Sequence, residues 1–313
     1  MNYKIKEKNF ISVIIHVKDN AEQTEAFLTK INRVFKENFE AYEYIIVNNT
    51  NNLEPNQILS SSFLSKQEEV IKIINLSWAH NIEDAMRSGI ELAIGDFIFE
   101  FDSIYIDFNV DFILKVYYKS LEGYDVVAAE PDNKLSRKSK PFYSILNRLS
   151  NKDIYLTTET FRIVSRRMLN RSSLKESFRY RKINYHYSGL KTNILKYPVT
   201  NNADRKSDFS LGDKISLGSN ILIYYSNIGT KISLGLSLFF LAISISVIGF
   251  TLFSYFSKPD LIQNGWTTTM IFLSISFCGI FAILGVLSKY MEVLLREAQI
   301  QKPYSFKSIE RLS

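Results

Sequence analysis

The chain has 313 residues, a formal net charge of +6 and 46% hydrophobic residues. A single cysteine, Cys278, excludes an intrachain disulfide and fits a reducing compartment. The modest positive charge suits an anionic membrane surface or phosphate-bearing substrates, and no nucleic-acid-binding motif accompanies it.

Met1–Asn9 is charged, and the apolar segment behind it is too short for a signal peptide. Ile11–Val17 is a near-continuous apolar, β-branched run, which predicts a strand covered on both faces. Ala21–Phe39 places Phe27, Leu28, Ile31, Val34 and Phe35 at helical spacing. Tyr42–Val47 reads as a second strand, stopped by the polar cluster Asn48–Asn52, and Val70–Leu76 as a third. A helix over Ile82–Ile94 ends at Gly95, and a strand over Phe97–Phe101 ends at Asp102. A helix over Val110–Leu121 and a strand over Asp125–Ala129 follow.

This alternation predicts an α/β domain with a mostly parallel, doubly covered sheet. Such sheets bind ligands at the carboxyl ends of their strands. The polar residues expected there are Lys18-Asp19, Asn48-Asn49 and Asp102-Ser103.

Past Glu130 the alternation stops. Lys134, Arg137, Lys138, Lys140 and Arg148 interleave with Phe142, Tyr143 and Leu146. That stretch reads either as a solvated face or as a surface meeting lipid phosphate. Phe161–Leu169 carries Arg162, Arg166 and Arg167 around an apolar stripe. Ile215–Ile228 reads as an amphipathic interfacial helix or a plain linker. His80 and His186 have no metal partner at useful spacing and read as surface or packed histidines.

Two uncharged apolar runs follow, Ile232–Phe256 and Trp266–Leu287, split by Ser257-Lys258-Pro259-Asp260. Each meets the length of about 20 residues that a bilayer core demands. Soluble core helices seldom run so long without a charge, so the two runs predict a transmembrane hairpin. Lys231 precedes it, and Lys289, Arg296, Lys302, Lys307 and Arg311 follow it, which places both termini in the cytoplasm. The expected domains are a sheet domain over 1–209, a juxtamembrane helix over 210–231, two membrane helices over 232–288 and a cytoplasmic tail over 289–313.

In its order of elements the chain resembles family 2 glycosyltransferases, specifically the membrane-anchored polyprenyl-phosphate (dolichol-phosphate-like) sugar transferases. Ile11–Asp19 is similar to that family's opening strand, V-S-V-V-I-P-V-Y-N, with His16 in place of proline. Tyr42–Asn51 resembles Y-E-I-I-F-V-D-D-G-S, and Leu76–Gly89 resembles L-S-R-N-F-G-K-E-A-A-L-L-A-G. Gly95–Ile104 resembles G-D-x-x-x-x-x-D-A-D, and Phe161–Arg167 resembles F-R-L-x-x-R-R. Gly265-Trp266-Thr267, Gly285–Tyr290 and Lys302-Pro303-Tyr304 are similar to its last membrane helix and tail. No single match is specific, but their order runs nearly end to end.

The resemblance implies a GT-A (Rossmann-like) domain that moves a sugar from a nucleotide-diphosphate sugar to a polyprenyl phosphate at the cytoplasmic face of a bacterial-type inner membrane. It implies Mg²⁺ or Mn²⁺ held by the D-x-D carboxylates, and it suggests a homo-oligomer. Carried over residue by residue, it assigns Asp102 to the metal or diphosphate and Asp107 to a supporting carboxylate. Thr160, beside Glu159, stands where relatives have a candidate base. Asp19, Asn48 and Asn49 fall near the nucleotide, and Arg162 near its phosphates or in a structural ion pair. Asparagines replace the aspartates of the second strand, and Ile104 replaces the second D-x-D carboxylate. Hard cations prefer anionic oxygen, so Ile104 also admits a non-catalytic reading, a scaffold or partner subunit with the transferase fold.

Overall fold

A computed structural model describes residues 5–18, 23–50, 58–60, 63, 69–78, 80–132, 159–171, 181, 184–185, 188–200, 235–236, 239–240, 242–243, 246, 265–298 and 305–312. They fall into two compact units, one built on a sheet and the other within Pro141–Ile154 and Leu211–Ile300. Asp19, the basic stretch at 134–148, His186 and the proposed interfacial helix at 215–228 lie outside the described residues.

The sheet unit has eight strands: β1 Ile11–Val17, β2 Tyr42–Asn48, β3 Val70–Leu76, β4 Phe97–Phe101, β5 Val126–Pro131, β6 Phe161–Ser165, β7 Thr192–Tyr197 and β8 Phe306–Leu312. Their order is β7-β5-β6-β4-β1-β2-β3-β8. Strands β4, β1, β2 and β3 are mutually parallel, as the alternation predicts. The sheet as a whole is mixed, because β6 inserts antiparallel between β4 and β5 and β8 adds antiparallel to β3. The tail expected over 289–313 is therefore not a separate element. Its last residues form β8, and its first continue a helix that ends at Ala298.

Apolar side chains of β1 alternate between two cores. Val13, Ile15 and Val17 meet Phe27, Leu28, Ile31 and Phe35 of α1 Thr24–Asn38, and Ile113, Val116 and Tyr117 of α3 Phe112–Leu121. Ile14 faces the opposite way, toward Ala85, Met86 and Ile90 of α2 Ile82–Leu92 and Met168 and Leu169 of α4 Arg166–Arg171. Covering both faces leaves the strand ends as the place where polar side chains gather.

At the amino end the sheet closes on a buried hydrogen-bond ladder. Glu43 accepts from Ser12 Oγ at 2.6 Å, from the Ile94 N–H at 3.1 Å and from Lys72 Nζ at 2.6 Å. Ser12 Oγ in turn accepts from the Gly95 N–H at 2.8 Å. This pulls Gly95 so close to β1 that a Cβ there would lie 2.5 Å from the Ser12 nitrogen and 2.8 Å from the Phe10 oxygen.

In the second unit, α5 Gly265–Ala298 is a 34-residue helix. The Phe240 ring packs so closely on Gly279 that a Cβ there would lie 1.9 Å from it, so the two apolar runs touch. The described residues alone give no helix long and apolar enough to cross a membrane. Most of the first run lies outside them, as do several side chains of the second.

Backbone atoms cannot yield as a flexible side chain does, so Gly95→Ala should destabilise the sheet unit by about 2–3 kcal/mol. A thermal midpoint equal to that of the parent chain would show that the segment before β4 moves aside freely.

Candidate functional site

The carboxyl ends of β1, β2 and β3 carry His16, Asn48, Asn49 and Asn75, all buried. Asn48 Nδ2 donates to Asn75 Oδ1 at 2.9 Å, while Asn48 Oδ1 accepts from the Thr50 N–H at 3.2 Å and from Thr50 Oγ1 at 2.6 Å. This is the turn chemistry that an asparagine cluster offers a strand end. Asn49 grips the loop after β3. Its Oδ1 accepts from the His80 N–H at 2.7 Å and its Nδ2 donates to the His80 carbonyl at 2.9 Å. The same Nδ2 lies 3.0 Å from His16 Nε2.

His16 Nδ1 lies 3.3 Å from the Asp102 carbonyl oxygen. One neutral tautomer satisfies both contacts, with Nδ1–H donating to Asp102 and Nε2 accepting from Asn49. Burial pushes the His16 pKa down to about 4, against the opposing pull of Asp102. A second proton would also set two donors, Nε2–H and the Asn49 amide, against each other.

Next to this lies a buried ion cluster. Arg162 and Arg181 are both 0% exposed. Glu100, near the end of β4, accepts from Arg162 Nη1 at 3.0 Å, from Arg181 Nη1 at 2.6 Å and from the Tyr185 hydroxyl at 2.5 Å. Asp102 accepts from Arg162 Nη2 at 2.8 Å on one oxygen and from Arg181 Nη2 at 2.9 Å on the other. Glu159 pairs with Arg162 Nε at 2.7 Å, and Glu83 takes both the backbone N–H and Nε of Arg181. Asn81 caps α2 by accepting from the Asp84 N–H at 2.9 Å, which sets Glu83 in the first turn facing Arg181. Burial alone would lower both guanidinium pKa values, but the surrounding carboxylates outweigh it and raise them, so both arginines stay charged. Burial and Glu100 push the Tyr185 hydroxyl well up, so it remains a donor.

A third group lies at the ends of β6 and β7. The Tyr197 hydroxyl donates to Asp107 at 2.7 Å and shares a short hydrogen bond with Thr160 Oγ1. Register carries this group toward the cluster, since Phe101 pairs with Phe161 and Asp102 and Thr160 are the next residues outward.

The structure thus brings Asn48, Asn49, Asp102, Thr160, Arg162 and Asp107 to one edge of the sheet. It also gives each a partner within the protein. Asp102 was expected to hold Mg²⁺ or Mn²⁺, yet both of its carboxylate oxygens sit on guanidiniums. Ile104, in the second carboxylate's place, packs in the core at 5% exposure. Among the described residues no group of three His, Cys, Asp or Glu side chains is placed to hold a metal. The described residues do not fit a divalent cation. Arg162 stands in the structural ion pair that was one of its two expected roles.

Glu100, Arg181, Glu83, Tyr185 and Tyr197 escaped sequence reasoning. Glu100 carried a usable signal, because a carboxylate inside Phe-Ile-Phe-Glu-Phe needs a buried cation. Arg181 carried none, since nothing local marks it apart from its basic neighbours.

Removing one member of a buried pair costs about 3–5 kcal/mol, because its partners stay buried and uncompensated. Arg162→Met should therefore lower the thermal midpoint by on the order of 10 °C, and a shift near zero would show that water already reaches the cluster. The pH dependence of stability should show His16 directly. Its folded pKa lies below the unfolded value, so the unfolded chain takes up the proton first as pH falls. Stability should be full above about pH 6.5 and decline toward pH 4, by on the order of 3 kcal/mol. His16→Gln should flatten that part of the curve, and an unchanged acid limb would assign it to other groups.

No family model matches the chain. An uncharacterized glycosyltransferase of Synechocystis is 25% identical over 194 residues, covering 60% of each chain. The uncharacterized glycosyltransferase YkcC of Bacillus subtilis is 23% identical over 315 residues, covering 95% of each. Among solved structures, mannosyl-3-phosphoglycerate synthase from Rubrobacter xylanophilus superposes with a TM-score of 0.47 at 14% identity, over 69% of this chain and 72% of that one. Glucosyl-3-phosphoglycerate synthase from Mycobacterium tuberculosis, in complex with Mn²⁺, UDP and phosphoglyceric acid, does so with a TM-score of 0.48 at 13% identity, over 69% and 76%.

Proposed function

We propose that the protein is a membrane-anchored GT-A glycosyltransferase that moves a sugar from a nucleotide-diphosphate sugar to a polyprenyl phosphate at the cytoplasmic membrane face. The observation that carries the reading is the convergence of His16, Asn49, Asp102, Arg162 and Thr160 at the carboxyl edge of one α/β sheet, where such sheets bind ligands. Its end-to-end similarity to a protein named as a glycosyltransferase supports it.

The membrane part rests on two further observations. Leu273, Phe277, Ile280, Leu284 and Leu287 on α5 are all exposed, a contiguous apolar surface of the kind that seeks lipid or a partner. The contact of Phe240 with Gly279 is the small-residue packing that membrane helices favour. The chain leaves the sheet after β7 and rejoins it as β8, so any membrane crossings between them are even in number. Two crossings satisfy this and keep the sheet unit on the side of the Lys and Arg flanks.

In this reaction an oxygen of the lipid phosphate bonds to the anomeric carbon as the bond to the donor's β-phosphate breaks, with inversion. The leaving diphosphate keeps the electron pair. The attacking phosphate is already anionic at neutral pH, so Thr160 in a base's place is no obstacle. Neutral His16 and Asn49 shape the donor side. Arg162 and Arg181 hold Asp102 fixed, and Lys18 is an exposed cation at the end of β1. A divalent cation would need ligands other than Asp102 as it stands.

That same engagement of Asp102 favours a second reading, a non-catalytic subunit that keeps the fold. Calorimetry on the purified full chain with UDP, UDP-glucose and GDP-mannose, with and without Mn²⁺, separates the two. At least one ligand should bind, and Mn²⁺ should change its affinity little. Failure of all three at millimolar concentration would favour the scaffold, and a strict Mn²⁺ requirement would show that Asp102 leaves its arginines.

A further inference from the structure

The loop between β3 and α2 carries an aromatic pair that the proposed reaction does not use. Trp78 is 58% exposed, and its ring lies 5.0 Å from that of His80, tilted by 33°. An indole this exposed normally wanders, but this loop is fastened on both sides. Asn49 holds the His80 backbone through two hydrogen bonds. From the other side Ser305, the residue before β8, takes over. The Ser77 N–H donates to the Ser305 carbonyl at 2.9 Å, the two serine hydroxyls lie 3.1 Å apart, and the Ser305 N–H donates to His80 Nε2 at 3.4 Å. Trp78 therefore stands on an imidazole that is fixed from two directions.

Its position links it to the strand-end site. Contacts run from Trp78 to His80, from His80 to Asn49, from Asn49 to His16 and from His16 to Asp102. The asparagines are meanwhile engaged in building the loop: Asn48 grips Asn75 and Thr50, and Asn49 grips His80 and His16. Reading of a base edge by these amides is replaced by a rigid aromatic face beside them. Every nucleobase has a π-face, and stacking on an aromatic side chain contributes roughly 1–3 kcal/mol per base.

We propose that Trp78, backed by His80, is the platform on which the nucleobase of the donor stacks. The inference rests on the nucleotide-sugar reading above and adds the residue that holds the base. It gives Ser305, the residue before β8, a role as well, since its hydrogen bonds fix the platform.

Trp78 and Trp266 are the two tryptophans of the chain, so in a Trp266→Phe background Trp78 is the sole indole emitter. Titration of the detergent-solubilised full chain with UDP and GDP should quench that emission, and inorganic pyrophosphate should not. In calorimetry Trp78→Ala should weaken nucleotide binding by roughly 5- to 150-fold, the affinity equivalent of one stacked base. It should leave pyrophosphate binding unchanged, and Trp78→Phe should recover most of the loss. Parental nucleotide affinity in Trp78→Ala would overturn the platform and leave the nucleotide-sugar reading intact. A parent chain that binds neither nucleotide would overturn both. Emission that moves to the blue between detergent and phosphatidylglycerol nanodiscs, without any response to nucleotide, would assign Trp78 to the lipid surface instead.

Discussion

Glu100, on β4, is fully buried at 0% exposure. A carboxylate on a buried strand has to be met by cations, and here it is met by two, Arg162 from β6 and Arg181 from the segment beyond α4. Buried ion pairs of this kind are weak evidence for net stability, because desolvation offsets most of the attraction. They are stronger evidence for register. A slip of β6 by one residue would turn Arg162 to the opposite face and leave Glu100 and Asp102 with Arg181 alone. The antiparallel strand that breaks the parallel sheet is thus held in place by charge as much as by its apolar side chains. The same arginines orient Asp102 at the edge where the site forms.

A second constraint comes from the far end of the chain. β8 is an edge strand, and an edge strand normally invites partners. Here it covers the open side of β3, and the residue just before it, Ser305, secures the loop that carries His80. The segment between β7 and β8 is tethered to the sheet at both ends. The loop from Ser77 to Asn81 that Ser305 holds lies one contact from Asn49. The sequence separation of more than 220 residues between Ser77 and Ser305 is bridged by two hydrogen bonds.

Most of the sheet was legible in the sequence because its strands are short apolar runs closed by polar residues. Ile11–Val17, Tyr42–Asn48, Val70–Leu76 and Phe97–Phe101 fall where their periodicity puts them. β6 was not legible as a strand, since its five residues, with an arginine among them, run straight into α4 and read as one stripe. β8 was not legible either. Phe306–Leu312 holds three charged residues, and only its pairing with β3 makes it a strand. The site shows the same division. Asn48, Asn49 and Asp102 could be placed at strand ends because strand ends are local features. Their true partners could not be, because Arg181 reaches Glu100 and Asp102 across about 80 positions of chain.

The expectation of a metal at Asp102 shows how two distant substitutions depend on each other. Ile104 packs among core side chains, so the place where the resemblance puts a second carboxylate is apolar. With that ligand absent, Asp102 at a largely buried strand end would carry a charge with no counterion, which is expensive in a dry environment. Two guanidiniums supply the missing charge, and each is held in turn by a further carboxylate, Glu159 or Glu83. Restoring an aspartate at 104 alone would therefore not restore a metal site. It would add a carboxylate to a core whose described guanidiniums, Arg162 and Arg181, already hold Glu100, Asp102, Glu159 and Glu83, while Asp102 stayed bound to its arginines. An ion-binding geometry would require Arg181 to withdraw as well, so the two positions have to be understood as one unit.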